Sequence, residues 1–159
     1  VERIVVVVRP DHAGIEAALP GRSVTWVVNP DPASDMLGSV RCGLRAVPES
    51  CEAVLVALGD QPGIRANVIA EMVRLFRETQ CPLVVPAFRG RRGHPVLIAL
   101  RYRDEILTGH GAAGLRGLLQ AHAAEISEVS VDSADVLEDM DTPEDYQRVK
   151  ARFPGEAEG

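Results

Sequence analysis

The chain has 159 residues, 46% of them hydrophobic and 25% charged, which is the composition of one soluble domain long enough to bury a core. Its formal net charge of -6 removes the field that draws a protein to a phosphate backbone, so nucleic acid is not an expected partner. No apolar stretch is long enough to span a bilayer and no charged-then-apolar leader opens the chain, so a cytoplasmic location without membrane contact is expected.

The residues Ile4 to Val8 are consecutive and β-branched, the profile of an interior parallel strand. Pro10 and Asp11 break it, and His12 to Leu19 predicts a short helix ended by Pro20 and Gly21. Ser23 to Val28 predicts a second strand, closed by the turn Asn29-Pro30-Asp31-Pro32. Ser39 to Val47 has helical composition and stops at Pro48. Val54 to Leu58 is an apolar run without alternation, expected to be a strand buried on both faces. Gly59, Asp60 and Pro62 then turn the chain.

Ala66 to Thr79 is the clearest helix, with Ile69, Met72, Val73 and Phe76 at helical spacing and charged residues between them. Leu83 to Val85 predicts a strand, Arg89 to Gly93 a loop, and Pro95 to Leu100 another strand. A short helix near Arg103 to Leu107, a turn over Gly109 to Gly114, a helix over Leu115 to Ala124 and a strand near Ile126 to Val131 follow. Thr142 and Pro143 mark the start of a last helix, with Glu144 and Asp145 at the positive end of its dipole. Alternating strands and helices predict an α/β three-layer domain with a mostly parallel sheet. One domain is expected over 1–153, with a frayed tail over 154–159. The three cysteines, Cys42, Cys51 and Cys81, form no C-x-x-C pair and are read as reduced thiols.

Four loops carry candidate chemistry. In open α/β sheets ligands bind beyond the carboxyl ends of strands, which suits Asp60 to a metal or a ribose; the alternative is a carboxylate that caps its own turn. Asp35 to Ser39 leads into a helix whose amides could hold a base or an anion, or Ser39 is simply its cap. Arg89, Arg91 and Arg92 among glycines, followed by His94-Pro95, suit a phosphorylated acceptor or are solvated surface. Glu138-Asp139-Met140-Asp141 before a helix can chelate a divalent cation, or Asp141 only complements the helix dipole.

Together, Leu58-Gly59-Asp60-Gln61-Pro62, Gly90-Arg91-Arg92-Gly93-His94-Pro95-Val96-Leu97, Gly114-Leu115-Arg116 with Leu118-Leu119, and Asp139-Met140-Asp141-Thr142-Pro143-Glu144-Asp145-Tyr146 resemble, in order, the MobA-like nucleotidyltransferases. The likeness is greatest to the molybdenum cofactor cytidylyltransferase branch and runs through about Val149; Ser39, Gly43 and Leu44 match a further family segment. It implies a GT-A-like, Rossmann-like domain that moves a nucleoside monophosphate, CMP from CTP, onto a phosphorylated acceptor such as molybdopterin, with Mg²⁺ or Mn²⁺. Asp60 is then a metal ligand and Asp139 or Asp141 the second carboxylate. Ser39 then lies in the segment that contacts the nucleotide, Arg92, His94 and Arg116 line the acceptor side, and Gly59, Gln61 and Pro62 are counted with them as cofactor-binding. The implied partners are the nucleotide, the acceptor and a molybdoenzyme or its chaperone.

Three departures are visible. Gly111-Ala112-Ala113-Gly114 lacks the acidic residue that usually precedes Gly-x-Arg, and Asp35 and Leu37 replace small residues. The family's first strand and glycine-rich phosphate loop are missing, since Ile4 to Val8 matches its second strand. In the family order that strand lies between Ile4 to Val8 and Val54 to Leu58, so a truncated relative with weak or absent transfer is expected. A non-catalytic relative that binds a pterin-like ligand or a partner protein is the alternative.

Overall fold

The computed structural model describes residues 3–18 and 23–152; Leu19 and the tail expected over 154–159 lie outside them. The elements in chain order are β1 (Ile4–Val8), α1 (Ala13–Ala17), β2 (Val24–Val28), α2 (Met36–Ala46), β3 (Ala53–Val56), α3 (Ala66–Thr79), β4 (Leu83–Phe88), β5 (Arg91–Arg92), β6 (Val96–Ala99), α4 (Arg103–Thr108), α5 (Gly114–Ala121), β7 (Ile126–Ser130) and α6 (Pro143–Arg152). This is a mixed α/β fold, as the alternation of patterns predicts. Among the described residues no helix is long and apolar enough to cross a membrane. The chain forms two compact units, Val1–Glu52 with Leu100–His122, and Ala53–Ala99 with Ala123–Gly159.

In the first unit β1 and β2 pair in parallel, from Ile4 opposite Val24 to Val8 opposite Val28. α2 packs on them and against α4 and α5, burying Leu37 and Leu44; Ile106, Leu115 and Leu118 are buried on the other two helices. Arg41 Nε donates to the Ile106 carbonyl at 2.8 Å, and Arg103 Nη1 to the Val47 carbonyl at 2.9 Å. These bonds satisfy carbonyls that helix ends and turns leave open.

In the second unit β3 pairs antiparallel with β6, β6 antiparallel with β4, and β4 parallel with β7. Strands β3, β4 and β7 therefore run one way, and β6 runs against them. The reason is chain length. Only residues 89–95 join β4 to β6, too few for the crossover of about a dozen residues that a parallel return needs. Arg89 and Gly90 both adopt positive φ, 50° and 77°, between the paired Phe88 and Arg91. That is a two-residue hairpin turn, so the expected Arg89–Gly93 loop is partly strand.

α3 covers this sheet with the apolar face its spacing predicts. Met72 is fully buried and, with Phe76, joins Val84, Leu97, Ala99 and Val129 in one core cluster; a side chain of this size contributes roughly 1.5–3 kcal/mol when buried. Strand burial differs from expectation. β4 and β6 are the buried strands, while β3 is half-buried throughout and β1 runs from exposed Ile4 to buried Val8. Among the described residues β1 pairs only with β2 and β3 only with β6, and a strand paired on one side keeps solvent access.

Candidate functional site

β3 ends at Val56, and the chain turns through residues 58–61, where Gln61 N–H donates to the Leu58 carbonyl at 3.3 Å. Asp60 sits inside this turn and is exposed. Among the described residues its carboxylate accepts no hydrogen bond, so it does not cap its own turn. Gln61 faces inward and is only 5% exposed. Its Nε2 donates to Asp139 Oδ1 at 2.6 Å, and the Met140 N–H donates to the Asp60 carbonyl at 2.9 Å. One side-chain and one backbone bond thus join two acidic loops far apart in sequence.

His94 is the third member. The Gly93 N–H donates to the Pro86 carbonyl and the His94 N–H to the Val136 carbonyl, both at 2.9 Å. A β-carbon on Gly93 would lie 2.0 Å from the Val136 oxygen, so only glycine permits this approach of the hairpin to the acidic loop. Burial lowers the pKa of the imidazole below its ordinary value, opposed by the negative charges of Asp139 and Asp60.

Behind these loops is a group of ion pairs that sequence patterns did not single out. Asp135, whose side chain is 12% exposed, meets Arg65 Nε at 3.2 Å and Arg152 Nη1 at 3.1 Å, and Arg152 also reaches Glu138 at 2.9 Å. The segment after Asp60, the segment before Asp139 and the end of α6 are tied together. No spacing in the chain signals this, because Arg65, Asp135 and Arg152 are brought together only by folding. At the other end of α6, Thr142 Oγ1 accepts from the Asp145 N–H at 3.1 Å while Asp145 accepts from the Thr142 N–H at 3.0 Å. This reciprocal cap is the start that the sequence predicts.

The remaining candidates are distributed. Gly59 and Pro62 flank the Asp60–Gln61 pair in its loop. Arg92 is taken up by Glu128, Nε to Oε1 at 2.7 Å, and Asp141 is exposed without a partner among the described residues. Ser39 and Arg116 belong to the first unit. Ser39 is not the cap of α2; Asp35 is, accepting from the Gly38 N–H at 2.8 Å, because the helix begins earlier than its composition suggests. Ser39 Oγ instead accepts from buried Asn29 Nδ2 at 3.1 Å. Arg116 is exposed in the first turn of α5.

Among the described residues no three His, Cys, Asp or Glu side chains are grouped to enclose a metal ion. What the second unit offers is two carboxylates, Asp60 and Asp139, on loops joined to each other. That donor set suits Mg²⁺ or Mn²⁺, hard cations held by one or two carboxylates together with substrate phosphates and water rather than by an all-protein cage. A buried acceptor without a partner, Gln61 Oε1, marks the same place as polar and incompletely satisfied.

Residues 1–126 match the MobA-like NTP transferase domain. The chain is 24% identical over 131 residues to the molybdenum cofactor cytidylyltransferase of Escherichia coli (strain K12), covering 82% of this chain and 65% of that protein; it thus spans just under two thirds of the relative's length. Among solved structures it is similar to Rv0371c from Mycobacterium tuberculosis H37Rv, with TM-score 0.79, 22% identity and coverage of 93% and 75% of the two chains. A manganese complex of that protein matches with TM-score 0.76, 23% identity and coverage of 93% and 77%. The 4-diphosphocytidyl-2C-methyl-D-erythritol synthase of Anaerococcus prevotii DSM 20548 matches with TM-score 0.77, 15% identity and coverage of 98% and 80%.

Proposed function

The chain belongs to the MobA-like NTP transferase domain family, and from that premise we propose that it takes part in moving CMP from CTP onto a phosphorylated acceptor such as molybdopterin, releasing pyrophosphate. The observation that carries this reading is the pairing of the two acidic loops, Gln61 to Asp139 and Met140 to Asp60, beside His94. An acceptor oxygen attacks the α-phosphorus in such a transfer, so alignment and charge neutralisation are the main demands on the protein. A divalent cation, Mg²⁺ or Mn²⁺, supplies that neutralisation when bound.

In this assignment Asp60 and Asp139 hold the cation. Asp139 is the better second carboxylate because it is the one fixed to the Asp60 loop and felt by His94. His94, its pKa lowered by burial, donates or accepts a hydrogen bond on the acceptor side. Gln61 directly after Gly59-Asp60, and the complete Gly90 to Pro95 motif, favour CTP over GTP. The bond of Arg92 to Glu128 opens when an acceptor phosphate competes for the guanidinium. A molybdoenzyme or its chaperone receives the product, in the cytoplasm.

Titration of the chain with MnCl₂ and CTP, followed by the electron paramagnetic resonance signal of free Mn²⁺, tests the reading. Asp60→Asn and Asp139→Asn should each weaken Mn²⁺ binding at least roughly tenfold, and Asp141→Asn should leave it within about twofold. Binding that survives Asp60→Asn unchanged overturns the assignment and favours a relative that binds a pterin-like ligand or a partner without the cation.

A further inference from the structure

We infer that Gln61 is a positioning residue, retained in a buried setting because its amide fixes the orientation of Asp139. The inference rests on the assignment of Asp60 and Asp139 as the cation's carboxylates. Gln61 is 5% exposed, its Nε2 is bonded to Asp139 Oδ1 at 2.6 Å, and its Oε1 is buried with no partner among the described residues.

That orphaned oxygen is the informative feature. Burying an acceptor without a donor is unfavourable, and native proteins avoid it. Rotating the amide gives no relief, since Oε1 would then face the Asp139 carboxylate, acceptor against acceptor. The orientation is therefore dictated by Asp139, and the unpaired oxygen is its consequence. An apolar side chain of the same length would fill the space without leaving any buried polar atom unsatisfied. A glutamine here weakens the local fold in exchange for one well-placed donor.

Asp139 gains what the fold gives up. It is exposed on a loop, where a free carboxylate rotates among several orientations and is hydrated. The Gln61 amide occupies one oxygen, Oδ1, and no described residue bonds to the other, Oδ2. The backbone bond from Met140 to the Asp60 carbonyl sets the spacing of the loops; the Gln61 side chain sets the direction of the carboxylate. Groups that orient a metal ligand in this way commonly change metal affinity by about 10–100-fold when removed.

The test separates positioning from simple structural support by reading stability and Mn²⁺ binding together, using MnCl₂ with CTP and the full chain. Gln61→Met removes both the donor and the orphaned acceptor while keeping the volume. The expected result is a melting temperature equal to or above that of the unaltered chain, with Mn²⁺ binding weaker by roughly tenfold or more. In the Asp139→Asn background Gln61→Met should add no further loss, because there is no longer a carboxylate to orient. Gln61→Leu provides the same comparison if methionine packs poorly. A lower melting temperature with unchanged Mn²⁺ binding, or losses that simply add in the double variant, overturns the inference and leaves the site assignment standing. Failure of the unaltered chain to bind Mn²⁺ in a way that depends on Asp60 overturns the assignment and the inference with it.

Discussion

Gly93 lies against the carbonyl oxygen of Val136 so closely that a β-carbon would come within 2.0 Å of it, and the adjacent His94 N–H donates to that same oxygen at 2.9 Å. This contact brings the arginine-rich hairpin to the acidic loop. Gly93→Ala must displace backbone rather than a flexible side chain, and overpacking of this kind costs about 1–3 kcal/mol. Urea denaturation should show that loss, and Mn²⁺ binding in the presence of CTP should fall as His94 moves away from Asp60 and Asp139. Gly90→Ala is the control: its added β-carbon meets nothing within 4 Å, although its φ of 77° is strained for alanine, so it should lower stability without the same loss of binding.

Asp135 is the shared acceptor of Arg65 and Arg152. Both arginines are more than two-fifths exposed, so solvent screens each pair and a fully buried bridge is a poor guide to their strength. Asp135→Asn should destabilise the chain by about 1–2 kcal/mol, mainly because two guanidinium groups lose a carboxylate set between them. The difference from the unaltered chain should narrow in about 1 M NaCl, where charges on the surface are screened over a few ångströms. Equal melting temperatures at low salt would show that the three segments are held without it.

Glu105 receives hydrogen bonds from two histidines, His110 Nε2 at 2.7 Å and His122 Nε2 at 2.9 Å, and His122 also packs on Tyr102 with ring centroids 4.4 Å apart. The His122 bond, and then the His110 bond, hold its carboxyl below the ordinary value of 4.5. A depressed folded-state value means that the unfolded chain binds the proton more readily. The stabilisation is therefore complete above the unfolded value and is lost as the pH falls through the folded one. Denaturant titrations between about pH 6 and pH 3 should show Glu105→Gln differing most from the unaltered chain at the upper end and converging with it in acid. A carbon-detected titration of Glu105 with a midpoint at or above 4.5 would contradict the assignment.

The parts of the fold that local physics controls were legible along the chain. The apolar period of Ile69, Met72, Val73 and Phe76 defines α3, and Thr142 with Pro143 marks the start of α6. The motif order also singled out Asp60, Asp139 or Asp141, and His94 as candidates. Burial was less legible, because an apolar run such as Val54 to Leu58 has the same composition whether it is paired on one side or two. The antiparallel course of β6 was implicit in the short link from β4, a matter of reach that apolar patterning does not express.

By itself the sequence determined the order of the elements other than β5, the family, and which loops carry carboxylates, imidazole and guanidinium groups, since these follow from residue type, spacing and turn chemistry. Only the tertiary structure decided that Gln61 is buried against Asp139, that Asp135 joins Arg65 to Arg152, and that Arg92 is occupied by Glu128. Each is a contact between residues far apart in the chain, set by sheet register and by the direct approach of one loop to another. No local pattern encodes such a contact, because its geometry exists only when both segments are packed on the same core.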